Sequence, residues 1–339
     1  MYAYPRFFLY QEPFRQPLKT HHGTWRIREG IYVRLESESG EVGFGEIAPL
    51  PAFGSESIGT AWTFCATLPN TIIAETIAAI PDTLPACQFG LSQAWTQLTE
   101  FPHLQPETFL YCGLLPAGRD LLTVPQLAKP SYGAWKWKIA VLPHARELEI
   151  FQAWLGSLNP ETPVKIRLDA NGGLNLRTAR AWLTLCDRLN SQFQQEQRYI
   201  AIEFLEQPLP PQDWVNLQAL SNDFQTPIAL DETVDSLTAL ENVMGLGWRG
   251  PVVIKPVLMG AWSRLNTVLP QYRSQIVLSS ALEGAIGRWG ILALAQELNL
   301  TRYALGLGVD PWRPVPVLNT KAELADFWKL AIQVFRHTS

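Results

Sequence analysis

A chain of 339 residues is too long for one small core and suits a barrel of about 200 to 250 residues joined to a smaller domain. Its net charge of −4, with Lys and Arg scattered, offers neither the basic stripe a phosphate backbone needs nor a polybasic membrane patch, so nucleic acid and membrane are excluded as partners. Cys65, Cys87, Cys112 and Cys186 show no paired or metal-ligand spacing; with no long apolar leader or spanning segment, they read as buried thiols of a cytoplasmic protein.

The chain opens with aromatic and β-branched residues at Arg6 to Tyr10 and Ile27 to Leu35, and Glu41 to Glu46 follows a Ser-Glu-Ser-Gly turn, which predicts a small antiparallel meander. Between its first two strands, the polar stretch Gln11 to Trp25, with His21 and His22, reads as a long mobile loop. Ala48 to Ser57 carries too much Pro and Gly for regular structure, and its Pro51, Phe53 and Gly54 suit an apolar flap. Helical patterns follow at Ser57 to Ala66, Ile72 to Ile80 and Ala86 to Glu100, giving an α+β domain over residues 1–107.

From Thr108 the pattern becomes a regular alternation of apolar run, turn and helix-length segment. The runs are Phe109 to Cys112, Ala134 to Val141, Val164 to Leu168, Ile200 to Leu205, Ile228 to Leu230, Val252 to Ile254, Ile276 to Leu278 and Tyr303 to Leu305. Eight such runs predict an α/β barrel over residues 108–309. The tail, 310–339, has a helix around Lys321 to Phe335 and is expected to return to the first domain.

Ligands of a parallel barrel bind at the C-terminal ends of its strands, and here those ends are strongly polar. In WKWKIAV, Lys136 and Lys138 share one face of the second strand and Trp135 and Trp137 the other, so the lysines look inward in a barrel, or outward if the strand is an edge. A desolvated Lys has a lowered pKa, which suits proton abstraction. Asp169 ends the third strand before an Asn-Gly-Gly turn, Glu206 the fourth and Asp231 the fifth. Asp169 alone would also suit a turn former, Glu203 is an acidic neighbour of Glu206, and periodicity does not choose between Asp231 and Glu232. Three carboxylates from consecutive strands supply hard oxygen ligands that suit Mg²⁺, with Mn²⁺ as a substitute, and the lack of nearby His or Cys argues against zinc. Lys255 ends the sixth strand, across the mouth from the lysine pair, or snorkels to solvent.

The series Lys-x-Lys, Asp-Ala-Asn, Glu-Gln-Pro, Asp-Glu-Thr and Ile-Lys-Pro at the ends of strands two to six resembles the enolase superfamily, in its muconate-lactonizing subgroup, over nearly the whole chain. The resemblance implies a modified TIM barrel of the (β/α)7β type, with an N-terminal α+β capping domain completed by the C-terminal tail. RLDAN at Arg167 to Asn171, VVIKP, VLSSALEG at Val277 to Gly284 and the length are most similar to the branch that makes 2-succinylbenzoate for menaquinone and phylloquinone. That implies Mg²⁺-dependent loss of water from 2-succinyl-6-hydroxy-2,4-cyclohexadiene-1-carboxylate through an enolate. Lys138 would be the base and then the acid, Lys136 would polarise the substrate carboxylate, and Lys255 would face the ring as a cation. The succinyl arm would meet Ser279, Ser280 and Gly306, with Arg167 as a further candidate or as a partner of Glu203. Dipeptide epimerases and N-acylamino acid racemases share this machinery, but Gly308-Val309-Asp310 departs from the Asp-x-Asp pair of the epimerases. The expected partner is a small carboxylate, and the expected assembly a monomer or weak homo-oligomer.

Overall fold

The computed structural model describes residues 1–20, 23–124, 127 and 132–335. Strands β1 (Ala3–Thr20), β2 (Gly23–Ser37) and β3 (Val42–Ile47) form an antiparallel sheet in that order. The stretch expected to be a loop between the first two strands is largely a long hairpin. Its ladder runs from Ala3↔Ser37 to Pro13↔Ile27, shifts register, and resumes from Leu18↔Trp25 to Thr20↔Gly23. Pro13 and Pro17 lack N–H groups and flank the interruption, where the Arg15 N–H donates instead to the Trp312 carbonyl at 2.8 Å. His21 and His22 lie outside the described residues.

Helices α1 (Ile58–Thr67), α2 (Ala74–Ala78) and α3 (Pro85–Thr99) cover one face of this sheet. Helix α3 lies so close to β3 that a Cβ on Gly43 would sit 1.9 Å from the Ala94 carbonyl oxygen, and one on Gly45 1.8 Å from that of Gly90. Glycine is therefore required where helix and sheet backbones touch. Ala48 to Ser57 is irregular apart from a 3-10 turn at Pro51–Phe53, which Gly54 ends in the left-handed conformation.

The barrel strands are β4 (Tyr111–Leu114), β5 (Tyr132–Lys138), β6 (Val164–Asp169), β7 (Ile200–Glu206), β8 (Ile228–Ala229), β9 (Val252–Ile254), β10 (Ile276–Leu278) and β11 (Leu305–Gly308). Six pair in parallel in the order β11-β4-β5-β6-β7-β8, and β9 pairs in parallel with β10. Single parallel bridges, Leu230↔Val252 and Ser279↔Gly306, close the ring between the two pieces. Helices α4 (His144–Ser157), α5 (Leu176–Gln195), α6 (Trp214–Asp223), α7 (Leu237–Gly245), α8 (Trp262–Val268) and α9 (Ala285–Glu297) follow successive strands from β5 onward. After β4, the described connection is a 3-10 segment, Gly118–Thr123.

The strand period decides which residues reach the mouth. Trp137 is fully buried on the helix side, stacked on Phe151 of α4 at 5.6 Å and edge-on to Trp182 of α5, so Lys136 and Lys138 point into the barrel. The tail ends in α10 (Lys321–Phe335), which returns to the capping sheet. Phe327 meets Tyr32, Trp328 meets Phe44, and Lys321 pairs with Glu41 at 2.8 Å.

Candidate active site

The ladder sets Lys138 beside Asp169, and Asp169 beside Glu206, at the C-terminal ends of β5, β6 and β7. The carboxylates are nearly inaccessible: Glu206 is 1% exposed, Asp231 5% and Asp169 7%. Lys136 crosses the width of β6, with its ammonium 3.1 Å from Asp169 Oδ2 and 2.8 Å from Glu206 Oε1. Asp169 also keeps its turn role, since its Oδ1 accepts the Asn171 N–H at 3.1 Å, while the cap of α5 is supplied by Asn175. Glu203, three residues before Glu206 and unpaired in the ladder at the register shift of β7 on β6, holds Arg167 at 2.6 Å and Lys165 at 2.8 Å. On the far side Lys255 donates to Asp231 Oδ1, and its ammonium lies 4.5 Å from the centre of the Phe53 ring. Lys138 makes no ion pair with any described residue.

Charge crowding is the main electrostatic fact of the site. Burial, and then repulsion from Asp169 and Asp231, push the Glu206 carboxyl up to about 8 despite Lys136. Burial and Asp231 push Glu232 up to about 7. Burial opposes the charge on Asp169 too, but Lys136 and Lys138 outweigh it and hold that carboxyl below its ordinary range. Burial would lower Lys136, yet Asp169, Glu206 and Asp231 raise it well above the usual lysine value. The expectation of a lowered pKa thus fails for Lys136, because its anionic neighbours outweigh its desolvation.

Among the described residues, no three Asp, Glu, His or Cys side chains stand close enough to enclose a metal ion as they are arranged here; Lys136 and Lys255 hold the carboxylates instead. The donor set nevertheless fits a hard divalent cation. Its oxygens are buried and mutually repelling, and Glu232 Oε2 and Asn171 Oδ1 are buried without a hydrogen-bond partner.

These groups face a cavity of about 210 Å³ that Lys136, Lys138, Asp169, Glu206, Asp231 and Lys255 line together. Ser279, Ser280, Gly306 and Arg167 also line it. The Ser280 hydroxyl, however, already donates to Glu283 Oε1 and accepts the Leu282 N–H, each at 2.8 Å, and Ser279 Oγ lies 3.4 Å from the Gly306 carbonyl. Arg167 is spanned by Glu203 and the face of Phe204. A Cβ at position 306 would sit 2.6 Å from Ser279 Oγ, so only glycine fits where β10 and β11 meet.

Apart from Asn171 and Glu232, the rest of the lining is largely apolar, with Trp25, Leu50, Phe53 and Trp312 prominent. A second cavity of about 380 Å³ lies beyond Phe53 and shares Lys255, Asp231 and Glu232 with the first. Sequence reasoning missed Gln207, which is fully buried with a left-handed φ of 37°. Its Oε1 accepts the N–H groups of Asp231 at 3.0 Å and Thr233 at 3.1 Å, fixing the turn that carries Asp231. The only signal for it was its place between Glu206 and Pro208.

Two family models match the chain: MenC, N-terminal domain, over residues 4–98, and Enolase C-terminal domain-like, over residues 123–287. An o-succinylbenzoate synthase of Thermosynechococcus vestitus is 39% identical over 327 residues, spanning 95% of this chain and 97% of that protein. The chain belongs to the o-succinylbenzoate synthase family. Within that family, the crystal structure of the enzyme from Thermosynechococcus elongatus BP-1, complexed with Mg in the active site, superimposes with a TM-score of 0.85 at 38% identity, covering 96% of this chain and 99% of that one. A dipeptide epimerase from Enterococcus faecalis, at 16% identity and a TM-score of 0.74 over 94% of both chains, shares the fold.

Proposed function

We propose that the chain is a hydro-lyase that converts 2-succinyl-6-hydroxy-2,4-cyclohexadiene-1-carboxylate to 2-succinylbenzoate, a step of menaquinone or phylloquinone synthesis. The observation that carries this reading is one chamber with lysines on opposite walls, a buried carboxylate trio between them and an apolar remainder. Asp169, Glu206 and Asp231 are the residues that would hold Mg²⁺, which when bound would supply positive charge at the substrate carboxylate. Lys138, without a carboxylate partner among the described residues, takes the proton from the carbon next to that carboxylate and returns it to the departing hydroxyl, which leaves as water. Lys136, bound to Asp169 and Glu206, keeps its charge and orients the substrate carboxylate. Lys255 presents an ammonium to the opposite ring face. The apolar lining takes the succinyl arm and excludes water.

Racemisation or epimerisation would use the same two lysines, and one observation weighs against a dipeptide substrate. Asp310, the candidate receptor for a substrate ammonium, is held 3.3 Å from Arg288 and lies outside the cavity lining, where Val309 and Trp312 stand instead. Purified protein with Mg²⁺ and the cyclohexadiene carboxylate should show rapid loss of diene absorbance. No loss, together with fast α-deuterium exchange on N-succinyl amino acids, would replace the dehydratase reading with a racemase.

No helix of the described residues is long and apolar enough to cross a membrane. All four cysteines are buried free thiols, which supports a cytoplasmic site of action.

A further inference from the structure

The wall that receives the arm in this reading is built from two directions. Arg28, on β2, is 4% exposed and directs all five of its N–H donors to backbone carbonyls. Nε reaches Leu282 at 3.1 Å; Nη1 reaches Glu29 at 2.6 Å and Pro49 at 2.8 Å; Nη2 reaches Ala48 at 2.7 Å and Ala281 at 3.2 Å. No carboxylate of the described residues pairs with it, so the buried charge is stabilised by carbonyl dipoles alone in direct contact. Arg313, from the tail, donates to the same Leu282 carbonyl and is held in turn by Glu12, 2.9 Å from its Nε.

Both segments that Arg28 ties together belong to the chamber. Ala281 and Leu282 line it from the loop after β10, and Leu50, next to Pro49, lines it from the capping side. Leu282 has a left-handed φ of 63°, which a branched side chain adopts only where its surroundings impose it. The Leu282 N–H is held by Ser280 Oγ, and the Ala281 N–H by Glu283 Oε2 at 2.7 Å. Barrel groups thus fix the loop's N–H side, and the two arginines fix its carbonyl side.

We propose that Arg28, supported by Arg313, is a positioning residue for substrate recognition: it joins the capping-domain turn to the loop after β10 at one spacing and so sets the wall against which the succinyl arm packs. The inference rests on the dehydratase reading. Its expected signature is a loss confined to ligands that carry the arm, while the carboxylate end of the site is untouched.

The test compares wild type with Arg28→Met in the presence of Mg²⁺, using 2-succinylbenzoate and benzoate as calorimetric probes and steady-state kinetics beside them. The expected result is affinity for 2-succinylbenzoate weakened about tenfold or more, benzoate affinity unchanged, and KM raised with kcat within about threefold. Arg198→Met is the control, since Arg198 also donates to two carbonyls, Leu155 and Leu158, but neither of these lines the chamber; it should cost stability without moving KM. If Arg28→Met fails to fold, Arg28→Lys replaces it, because three donors can satisfy at most three of the five carbonyls and an intermediate loss is expected. Equal losses for both probes, or none, overturn the proposal. A wild type that neither binds 2-succinylbenzoate nor turns over the diene overturns the dehydratase reading and this inference with it, a pattern distinct from an active wild type and an unaffected variant.

Discussion

Lys136 and Glu206 meet at 2.8 Å across β6, the strand that separates them in the barrel wall. The ammonium therefore neutralises a carboxylate assigned to the metal rather than waiting as a free base. Lys136→Met should leave Mg²⁺ affinity equal or tighter, because a competing cation is lost, and should lower kcat/KM by about a hundredfold or more through loss of the charge at the substrate carboxylate. Titration calorimetry with Mg²⁺, set beside kinetics, separates the two effects. Weaker Mg²⁺ binding would assign Lys136 to holding the carboxylates in place.

Lys138 differs from Lys136 in having no ion-pair partner among the described residues, and removing it should act mainly on chemistry, with a smaller effect through the charge it places near Asp169. Lys138→Ala is expected to reduce turnover by about 10²- to 10⁴-fold with Mg²⁺ binding nearly unchanged. Substantial residual turnover would assign the base elsewhere, with Lys255 the next candidate.

Asp231 is presented by a turn whose N–H groups Gln207 collects. Asp231→Asn should weaken Mg²⁺ strongly, and Gln207→Leu should weaken it by about 10- to 100-fold without touching any ligand directly. An unchanged Mg²⁺ requirement in Asp231→Asn would move the ligand role to Glu232, whose side chain is held by Asn171 Nδ2 at 2.9 Å.

The Glu206 carboxyl at about 8 sets a pH dependence with a definite sign. The folded protein without metal keeps a proton that the unfolded chain releases near 4.5, so this group's contribution to stability is present at low pH and is lost as pH rises from that value through about 8. Mg²⁺ binding requires the anion, so affinity should rise with pH up to about 8, and binding at pH 7 should release a proton. Calorimetry in buffers of different ionisation enthalpy would detect that proton. Affinity independent of pH between 6 and about 8 would show that Glu206 is already ionised.

The site was legible where its physics is local. Alternation in VKIRLD and WKWK fixed which side chains share a face, and the breaks after Asp169, Glu206 and Asp231 marked strand ends. Properties that arise between strands were not legible. The direction of the Lys136 shift depends on carboxylates 33 and 70 positions further along the chain. The Gln11 to Trp25 hairpin was read as a loop because its prolines and polar residues hide a strand whose partner lies across the turn. Arg28 carried no signal of its role, since nothing near it in sequence announces carbonyls more than 250 residues away.

The closure of the barrel through single-residue bridges bears on how the two lysine walls can behave. β9 and β10, with Lys255 at the tip of β9, join β8 at Leu230↔Val252 and β11 at Ser279↔Gly306, whereas Lys136, Lys138, Asp169 and Glu206 sit on strands laddered over four to six residue pairs. The wall thus has a stiff arc and a hinged arc. Amide exchange should be faster along the two seams than between β5, β6 and β7, so the distance between the opposed ammonium groups can adjust to the ring without disturbing Asp169 or Glu206, while Asp231 moves with Lys255.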